Sequence, residues 1–420
     1  MAGTDRGDLT RTAILALLGT VGPLSRTEIA RELDLSPASV TQLTRELMGH
    51  GMLEELDLKP SRGGRPAQRL GLVGSAGRAL GVKVTADHLV LVDVRLDGEV
   101  LGSWERPFDP ASLDALGDLA DAVESVMSAA PAAGQAPPLL GIGVGVPGSV
   151  DDQAVGTVNA PTLGWQAMPV GERLRRRLNL PVLVENDVNA LAAAERLYGR
   201  GRTHRDFLVL TIGRGVGAAI VADGRVYRGA RGGAGEFGHL PVDPSGPVCG
   251  CGARGCLEAF VGSAGLLAAA RAKRDGGRQD ETDPLGAVAA LGRAAAGGDR
   301  AALAVFAEAG AILGRATAGL INVVDPEVVV LLGEGTADWS LWQAGFDRAV
   351  RAQLYPGRRD ISIEVESWDD TSWAQGAAAL VLATPFDAAG AAGEQGRLVR
   401  ARLIEGGLVS ARRTSKGAIA

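Results

Sequence analysis

Cysteine is nearly absent from this chain of 420 residues: there are three, and all of them lie between positions 249 and 256. That leaves no disulfide framework to hold a secreted fold together, and it makes the short cluster the place to look for metal or redox chemistry. Aromatic residues are scarce at 4%. Lysine is scarcer: only Lys59, Lys83, Lys273 and Lys416 are present, so 39 of the 43 basic residues are arginines, as a GC-rich coding sequence would produce. No run of 18 or more apolar residues occurs, which excludes a simple membrane-spanning segment. The first ten residues, MAGTDRGDLT, have no basic stretch leading into an apolar one, so no signal peptide is expected and a cytoplasmic, nucleoid-associated protein is. A net charge of −6 argues against a chain coated along its length by nucleic acid, yet leaves room for a local DNA-binding module.

What is present divides the chain. The length predicts two or three domains. In residues 1–75, Leu9, Ala13, Ile14, Leu17 and Leu18 recur at helical spacing and predict a first helix. A second helix is expected over Arg26–Leu33 and a third over Ser36–Met48, the latter opened by an N-cap serine followed by proline at the first helical position. Only Asp34 and Leu35 separate them, so the pair reads as a helix-turn-helix. Its inward faces carry Ile29, Leu33, Val40, Leu43 and Leu47. Its outer face would carry Ala38, Ser39, Thr41, Gln42, Thr44 and Arg45. Small and hydrogen-bonding residues there suit the major groove, so Ser39, Thr41, Gln42 and Arg45 are candidate DNA contacts. From Leu58 to Arg78 there are five basic residues and no acidic one. The turn Ser61-Arg-Gly-Gly-Arg-Pro66 reads as a basic wing that would place Arg62 and Arg65 against the duplex, Arg65 in a minor groove. The module would be a winged helix-turn-helix bound to a double-stranded operator.

Beyond Arg78 strands alternate with helices. Leu80–Val84, Leu89–Val94 and Gly98–Trp104 predict a meander, and Leu140–Val146, Val182–Val184, Phe207–Ile212 and Val328–Leu332 predict buried strands between helices, which implies an α/β fold with mixed sheets. The last 35 or so residues, rich in Ala, Gly and Arg, lack a clear apolar face and are expected to form a flexible tail, residues 385–420.

The spacing His239-x9-Cys249-x-Cys251-x4-Cys256 suits a closed, four-ligand zinc site of structural type, with glycines at 250, 252 and 255 to let the backbone wrap the ion. A redox Cys-x-x-Cys pair is absent. A closed site has no open coordination position, so Zn2+ here would pin the loop after Glu236 rather than catalyse.

Three further segments, Gly141-Ile-Gly-Val-Gly-Val-Pro-Gly148, Glu185-Asn186-Asp187-Val-Asn189 and Gly235-Glu-Phe-Gly-His239, together with Cys-Gly-Cys-Gly-x-x-Gly-Cys-Leu-Glu258, resemble the ROK family of sugar kinases and transcriptional repressors over about residues 78–384. The resemblance implies a two-lobed actin-like ATPase (ribonuclease H-like) fold, a lobe boundary near 200, a C-terminal helix returning to the first lobe, and a homodimer or homotetramer. It places sugar-binding groups on Asn159, Asn186, Asp187, Glu236, His239 and Glu258, with Asp187 where the kinases have their base. Asn186 and Asp187 also stand where they could cap the helix Val188–Tyr198.

The nucleotide side departs from the kinases. Their first phosphate loop, Asp-x-Gly-Gly-Thr, is matched here by Gly81-Val-Lys-Val-Thr-Ala-Asp-His88, with Lys83 in place of the Asp and Thr85 and Ala86 in place of the glycines. Gly213-Arg-Gly-Val-Gly217 keeps its glycines but carries Arg214, and Gly333-Glu334-Gly335 puts a carboxylate near the adenosine side. The expectation is a transcriptional regulator, a repressor by type, that senses a sugar or sugar phosphate and is not an enzyme, Asp187 being a vestigial base. The alternative is an active sugar kinase carrying a DNA-binding module.

Overall fold

The computed structural model describes residues 6–59, 67–129, 136–273, 283–366, 371–386 and 392–417. The chain divides into two compact units, residues 1–203 with 370–420, and residues 204–369.

The first unit begins with α1 (Arg6–Val21), β1 (Leu24–Ser25), α2 (Arg26–Glu32), α3 (Pro37–Gly49), β2 (Leu53–Lys59) and β3 (Ala67–Leu72), with the strands ordered β1-β3-β2. This is a winged helix-turn-helix. Its starts are set by local chemistry. Ser25 and Glu28 form a reciprocal capping box on α2, and the Ser36 hydroxyl accepts the Ser39 amide at 3.1 Å on α3, with Pro37 following at the first helical position. Asp34 takes a left-handed conformation (φ 50°) in the tight connection between the two helices. Ile14, Ile29, Val40, Leu47 and Leu70 are buried at the centre of the domain.

The same unit continues with β4 (Arg78–Val84), β5 (His88–Arg95), β6 (Val100–Pro107), α4 (Ala115–Ala129), β7 (Leu139–Val146), β8 (Ser149–Val150), β9 (Val158–Ala160), β10 (Trp165–Met168), α5 (Val170–Leu178), β11 (Val182–Asn186) and α6 (Asp187–Leu197). The main sheet is ordered β11-β7-β4-β5-β6, parallel across β11, β7 and β4 and antiparallel beyond. Period-two alternation gives it two different faces. Leu80, Val82, Val84, Ile142, Val144 and Val146 belong to the core under α4, whereas the other face carries Ala79, Gly81, Lys83 and Gly143.

The second unit holds β12 (Phe207–Ile212), β13 (Val216–Ala222), β14 (Arg225–Val226), α7 (Glu258–Val261), α8 (Ser263–Lys273), α9 (Pro284–Ala296), α10 (Arg300–Val324), β15 (Val328–Leu332), α11 (Trp339–Gln353) and β16 (Ser362–Val365), with a sheet ordered β14-β13-β12-β15-β16. Among the described residues, α10 alone is long and apolar enough to cross a membrane. Its buried face packs on α11, where Gly310 and Gly314 admit the carbonyls of Trp342 and Phe346. Each of the two units thus contributes one mixed five-stranded sheet with helices, the two lobes of the actin-like ATPase fold.

The chain then returns to the first unit as α12 (Ser372–Ala383) and α13 (Gly393–Gly417). The seat of α12 is made by absent side chains. A Cβ on Gly81 would meet the Ala374 carbonyl at 1.9 Å, and one on Gly143 would meet the Ala377 carbonyl at 1.8 Å. The expected flexible tail at 385–420 needs correcting: residues 393–417 form a helix, with Val399 and Leu403 buried and the Arg402 guanidinium donating to the Leu139 carbonyl at 3.0 Å. Its glycines and arginines hid a narrow apolar stripe.

Candidate functional site

The third helix of the N-terminal domain presents Ser39, Thr41, Gln42 and Arg45 as exposed residues, as a reading helix requires. A shallow hollow on this face is lined by Pro37, Ala38, Thr41, Gln42, Arg45 and Glu46. Thr44 departs from the expectation. It is fully buried, its hydroxyl donating to the Val40 carbonyl at 2.7 Å and accepting from Arg26 at 3.2 Å, so it holds α3 on α2 rather than facing outward. Across the domain, Arg11 of α1 donates twice to Glu46, at 2.9 and 3.1 Å, and this pairing lowers the Glu46 carboxyl from its ordinary range. Arg62 and Arg65 lie outside the described residues.

In the first unit, Asn159 and Asn186 meet at Gly148, and Asp187 lies beside Gly145. Asn186 is the N-cap of α6: its Oδ1 accepts the amides of Val188 (2.9 Å) and Asn189 (3.1 Å), while its Nδ2 donates to the Gly148 carbonyl at 2.9 Å. Gly148 adopts φ +92°, and a Cβ there would meet the Asn159 carbonyl at 2.3 Å, so glycine is required for the strands to close at this point. Asn159 is exposed, and its Oδ1 accepts the Ala167 amide at 2.9 Å. The capping role and membership of this cluster therefore coexist in Asn186. Behind them, Glu185 is fully buried. It accepts from Gln153 at 2.8 Å, from Asn189 at 3.3 Å and from the Asn186 amide at 2.9 Å. Nothing in the sequence alone marked Gln153, Glu185 or Asn189 as the support of this turn.

The side chain of Asp187 is occupied. Its Oδ1 accepts the Val188 amide at 2.9 Å, and its Oδ2 is paired with the ammonium of Lys83. Both side chains are about nine-tenths buried, at 10% and 12% exposure. The ammonium also lies over the ring of Trp373 in α12, 4.6 Å from its centroid, a cation–π arrangement. Lys83 is legible in the sequence as a departure from the kinase loop. That it reaches Asp187, 104 positions away, is not.

In the second unit, Glu236 precedes a 3-10 turn, Phe237–His239, that His239 ends, and the three cysteines follow. The donor atoms of His239, Cys249, Cys251 and Cys256 all lie within 4.8 Å of one another. His239 turns Nδ1 toward Cys249 Sγ (3.7 Å), while its Nε2 stands 3.8 Å from a Glu236 oxygen; Cys251 and Cys256 Sγ are 3.8 Å apart. Burial raises the Cys249 thiol and pushes Cys256 up to about 11, whereas the Ala253 amide lowers Cys251. Gly255 makes the loop possible: at φ +69°, its Cβ would fall 1.6 Å from the Asp243 carbonyl. The four donors are suited to holding a metal ion. Glu258, at the start of α7, accepts the Val216 amide at 3.0 Å beside Gly215, and Gly238 leaves room for its Cβ. The sequence-predicted residues of this unit are thus gathered into one neighbourhood.

Two family models match the chain: "ROK family" over residues 79–384 and "IclR helix-turn-helix domain" over residues 12–57. The xylose repressor of Caldicellulosiruptor bescii is 30% identical over 378 residues, covering 86% of this chain and 92% of the repressor. Among solved structures, a ROK family transcriptional regulator described as a homolog of the E. coli MLC protein has a TM-score of 0.77 at 28% identity, over 95% of this chain and 99% of its own. A ROK family glucokinase from Streptomyces griseus, solved with glucose and AMPPNP, has a TM-score of 0.60 at 27% identity, over 72% of this chain and 99% of its own. With a family model spanning most of its length, the chain belongs to the ROK family.

Proposed function

We propose that this chain is a sugar-responsive transcriptional regulator, a repressor of carbohydrate-metabolism genes, whose kinase-like domain senses its effector without phosphorylating it. The observation that carries this reading is the Lys83–Asp187 ion pair. A general base must be free to take a proton from the attacking hydroxyl. Here the carboxylate that the family resemblance places at that base is held by the buried ammonium of Lys83, whose strand carries no phosphate-cradling glycine pair. The long similarity to a xylose repressor and to an MLC-like regulator supports the same choice.

Asn159, Asn186, Asp187, Glu236, His239 and Glu258 are proposed as sugar contacts, since carboxylates and carboxamides are natural partners for hydroxyls that both donate and accept. A Zn2+ ion is proposed at His239, Cys249, Cys251 and Cys256. Tetrahedral Zn–S bonds of about 2.3 Å set sulfurs about 3.8 Å apart, the spacing of Cys251 and Cys256. With all four positions filled by protein, the ion would be structural and would fix His239, whose Nε2 then faces Glu236. Ser39, Thr41, Gln42 and Arg45, with Arg62 and Arg65 of the wing, are proposed to contact a double-stranded operator, bound by a homodimer or homotetramer in the cytoplasm.

The competing reading is an active sugar kinase with an accessory DNA-binding module, favoured by the Gly213–Gly217 turn that retains its glycines. Incubation with ATP and a panel of D-xylose, D-glucose and N-acetylglucosamine separates the two. The regulator yields no sugar-dependent ADP above the Asp187→Ala variant; turnover typical of a kinase would replace this reading with the other.

A further inference from the structure

The Lys83–Asp187 pair lies at one end of two helices whose other ends both touch the DNA-reading domain. Asp187 is the first residue of α6, and Trp373, which covers the Lys83 ammonium, is the second residue of α12. The two helices pack directly on each other through Gly376, where a Cβ would lie 2.9 Å from the Leu191 amide nitrogen. At 11 and 12 residues each spans about 16–18 Å. At their far ends, α6 runs into the 3-10 turn Arg200–Arg202 and α12 into the turn Thr384–Phe386. Helix α1 packs against α6 and against both of these turns.

The far ends are tied down. Tyr198, the C-cap of α6, is half-buried and donates from its hydroxyl to the Leu96 carbonyl at 3.3 Å, while the Arg200 amide donates to Glu195 at 3.0 Å. Leu197 of α6 and Leu380 and Val381 of α12 share one core with Ile14, Leu15 and Leu18 of α1. Gly22, just after α1, leaves space for the Arg202 guanidinium, which would stand 3.1 Å from a Cβ there. A close-packed core of this kind passes displacement on rather than absorbing it.

We propose that the Lys83–Asp187 pair is a latch that sets the seating of α6 and α12, and through them the order of α1 in the DNA-reading domain. The inference rests on the reading of Asp187 as a sugar contact. Both oxygens of Asp187 are engaged, one by the Val188 amide and one by Lys83, so a hydroxyl ligand donating to this carboxylate competes with the ammonium. Loosening a buried pair leaves its charges poorly compensated, and the helices that carry Asp187 and Trp373 respond. Lys83 is in this view a positioning residue, replacing catalysis with transmission.

The test needs neither sugar nor operator, so its failure would leave the sugar reading standing; that reading is lost instead if Asp187→Ala keeps the wild-type thermal shift with the sugar panel. Hydrogen exchange is measured by mass spectrometry on the full chain for wild type, Lys83→Met, Asp187→Asn and the double variant. The double variant removes both charges together and so leaves no unpaired one. Expected is exchange faster by about tenfold or more in α1 and in residues 384–386 in each single variant, since stranding one buried charge costs several times the free energy of a tenfold change, and a smaller increase over wild type at the same segments in the double variant, which lacks the pair but strands no charge. Helix α4, on the opposite face of the same sheet, and α10 and α11 should keep wild-type rates. Wild-type exchange of α1 in the double variant overturns the latch. So does an increase in α4 equal to that in α1, because the lobe would then be loosening as a whole; a single variant that fails to fold leaves the double variant as the deciding comparison.

Discussion

The Glu258 carboxylate accepts the backbone amide of Val216 at 3.0 Å, joining the start of α7 to the turn between β12 and β13. One residue thus serves the glycine turn and, with Gly238 beside it, the Glu236–His239 segment. Removing the acceptor by Glu258→Ala should destabilise the second unit by about 1–2 kcal/mol, the cost of leaving a largely buried amide without a partner. Glu258→Gln keeps a carbonyl in place and should lose less than half as much in thermal unfolding. Equal losses would show that the amide bond is not what the side chain supplies.

Chelation addresses the metal cluster. The protein purified with zinc should carry one equivalent per chain, and Cys251→Ser or Cys256→Ser should lower that to a small fraction in elemental analysis. Because burial places the Cys256 thiol at about 11, binding must displace its proton, and metal affinity should rise with pH through the neutral range. A pH-independent affinity would contradict thiolate ligation.

Glycine substitutions test the seat of α12. Gly143→Ala puts a methyl 1.8 Å from the Ala377 carbonyl and should cost about 3 kcal/mol or abolish folding. Gly319→Ala, on the exposed face of α10 with nothing within 4 Å, should instead stabilise by up to about 1 kcal/mol. Denaturant titration of both variants reads the contrast; similar effects would mean that α12 does not bear on β7 as described.

On the DNA side, Arg45→Ala should weaken binding to a mixed-sequence duplex and reduce the slope of log affinity against log salt by about one, as loss of one phosphate contact does. Fluorescence anisotropy over a salt series gives that slope. If it is unchanged, Arg45 is not among the phosphate contacts.

The Arg11–Glu46 pair has a defined pH signature. Hydrogen bonding from Arg11, helped by Gln42, lowers the Glu46 carboxyl in the folded state. A lowered carboxyl contributes stability that is present above its unfolded value and lost as pH falls through its folded value. The stability difference between wild type and Glu46→Gln should therefore shrink on acidification, measured by urea unfolding across the carboxylate range. A difference that grew as pH fell would carry the wrong sign for this pair.

Much of the molecule was readable one segment at a time. The capping serines at 25 and 36 and the proline at 37 act within one helical turn, so they mark α2 and α3 without reference to the rest of the chain. The metal donors stand within 18 positions of one another, and a short loop rich in glycine can bring them together wherever it sits. Short apolar runs marked the strands, and the resemblance in four motifs carried the family. What escaped the sequence depends on register and on surfaces that meet only after folding. Thr44 points inward because the tilt of α3 on α2 decides which side of the helix is covered. Helix α12 sits on the sheet because Gly81 and Gly143 remove side chains from one face, a relationship spanning more than two hundred residues. The sequence by itself determined that Lys83 cannot serve as the kinase's aspartate. Only the tertiary structure decided where its charge goes: the pairing of β4 with β7, and of β7 with β11, brings its ammonium to Asp187 under the ring of Trp373. Ion pairs between distant positions are set by strand register, which no local pattern encodes.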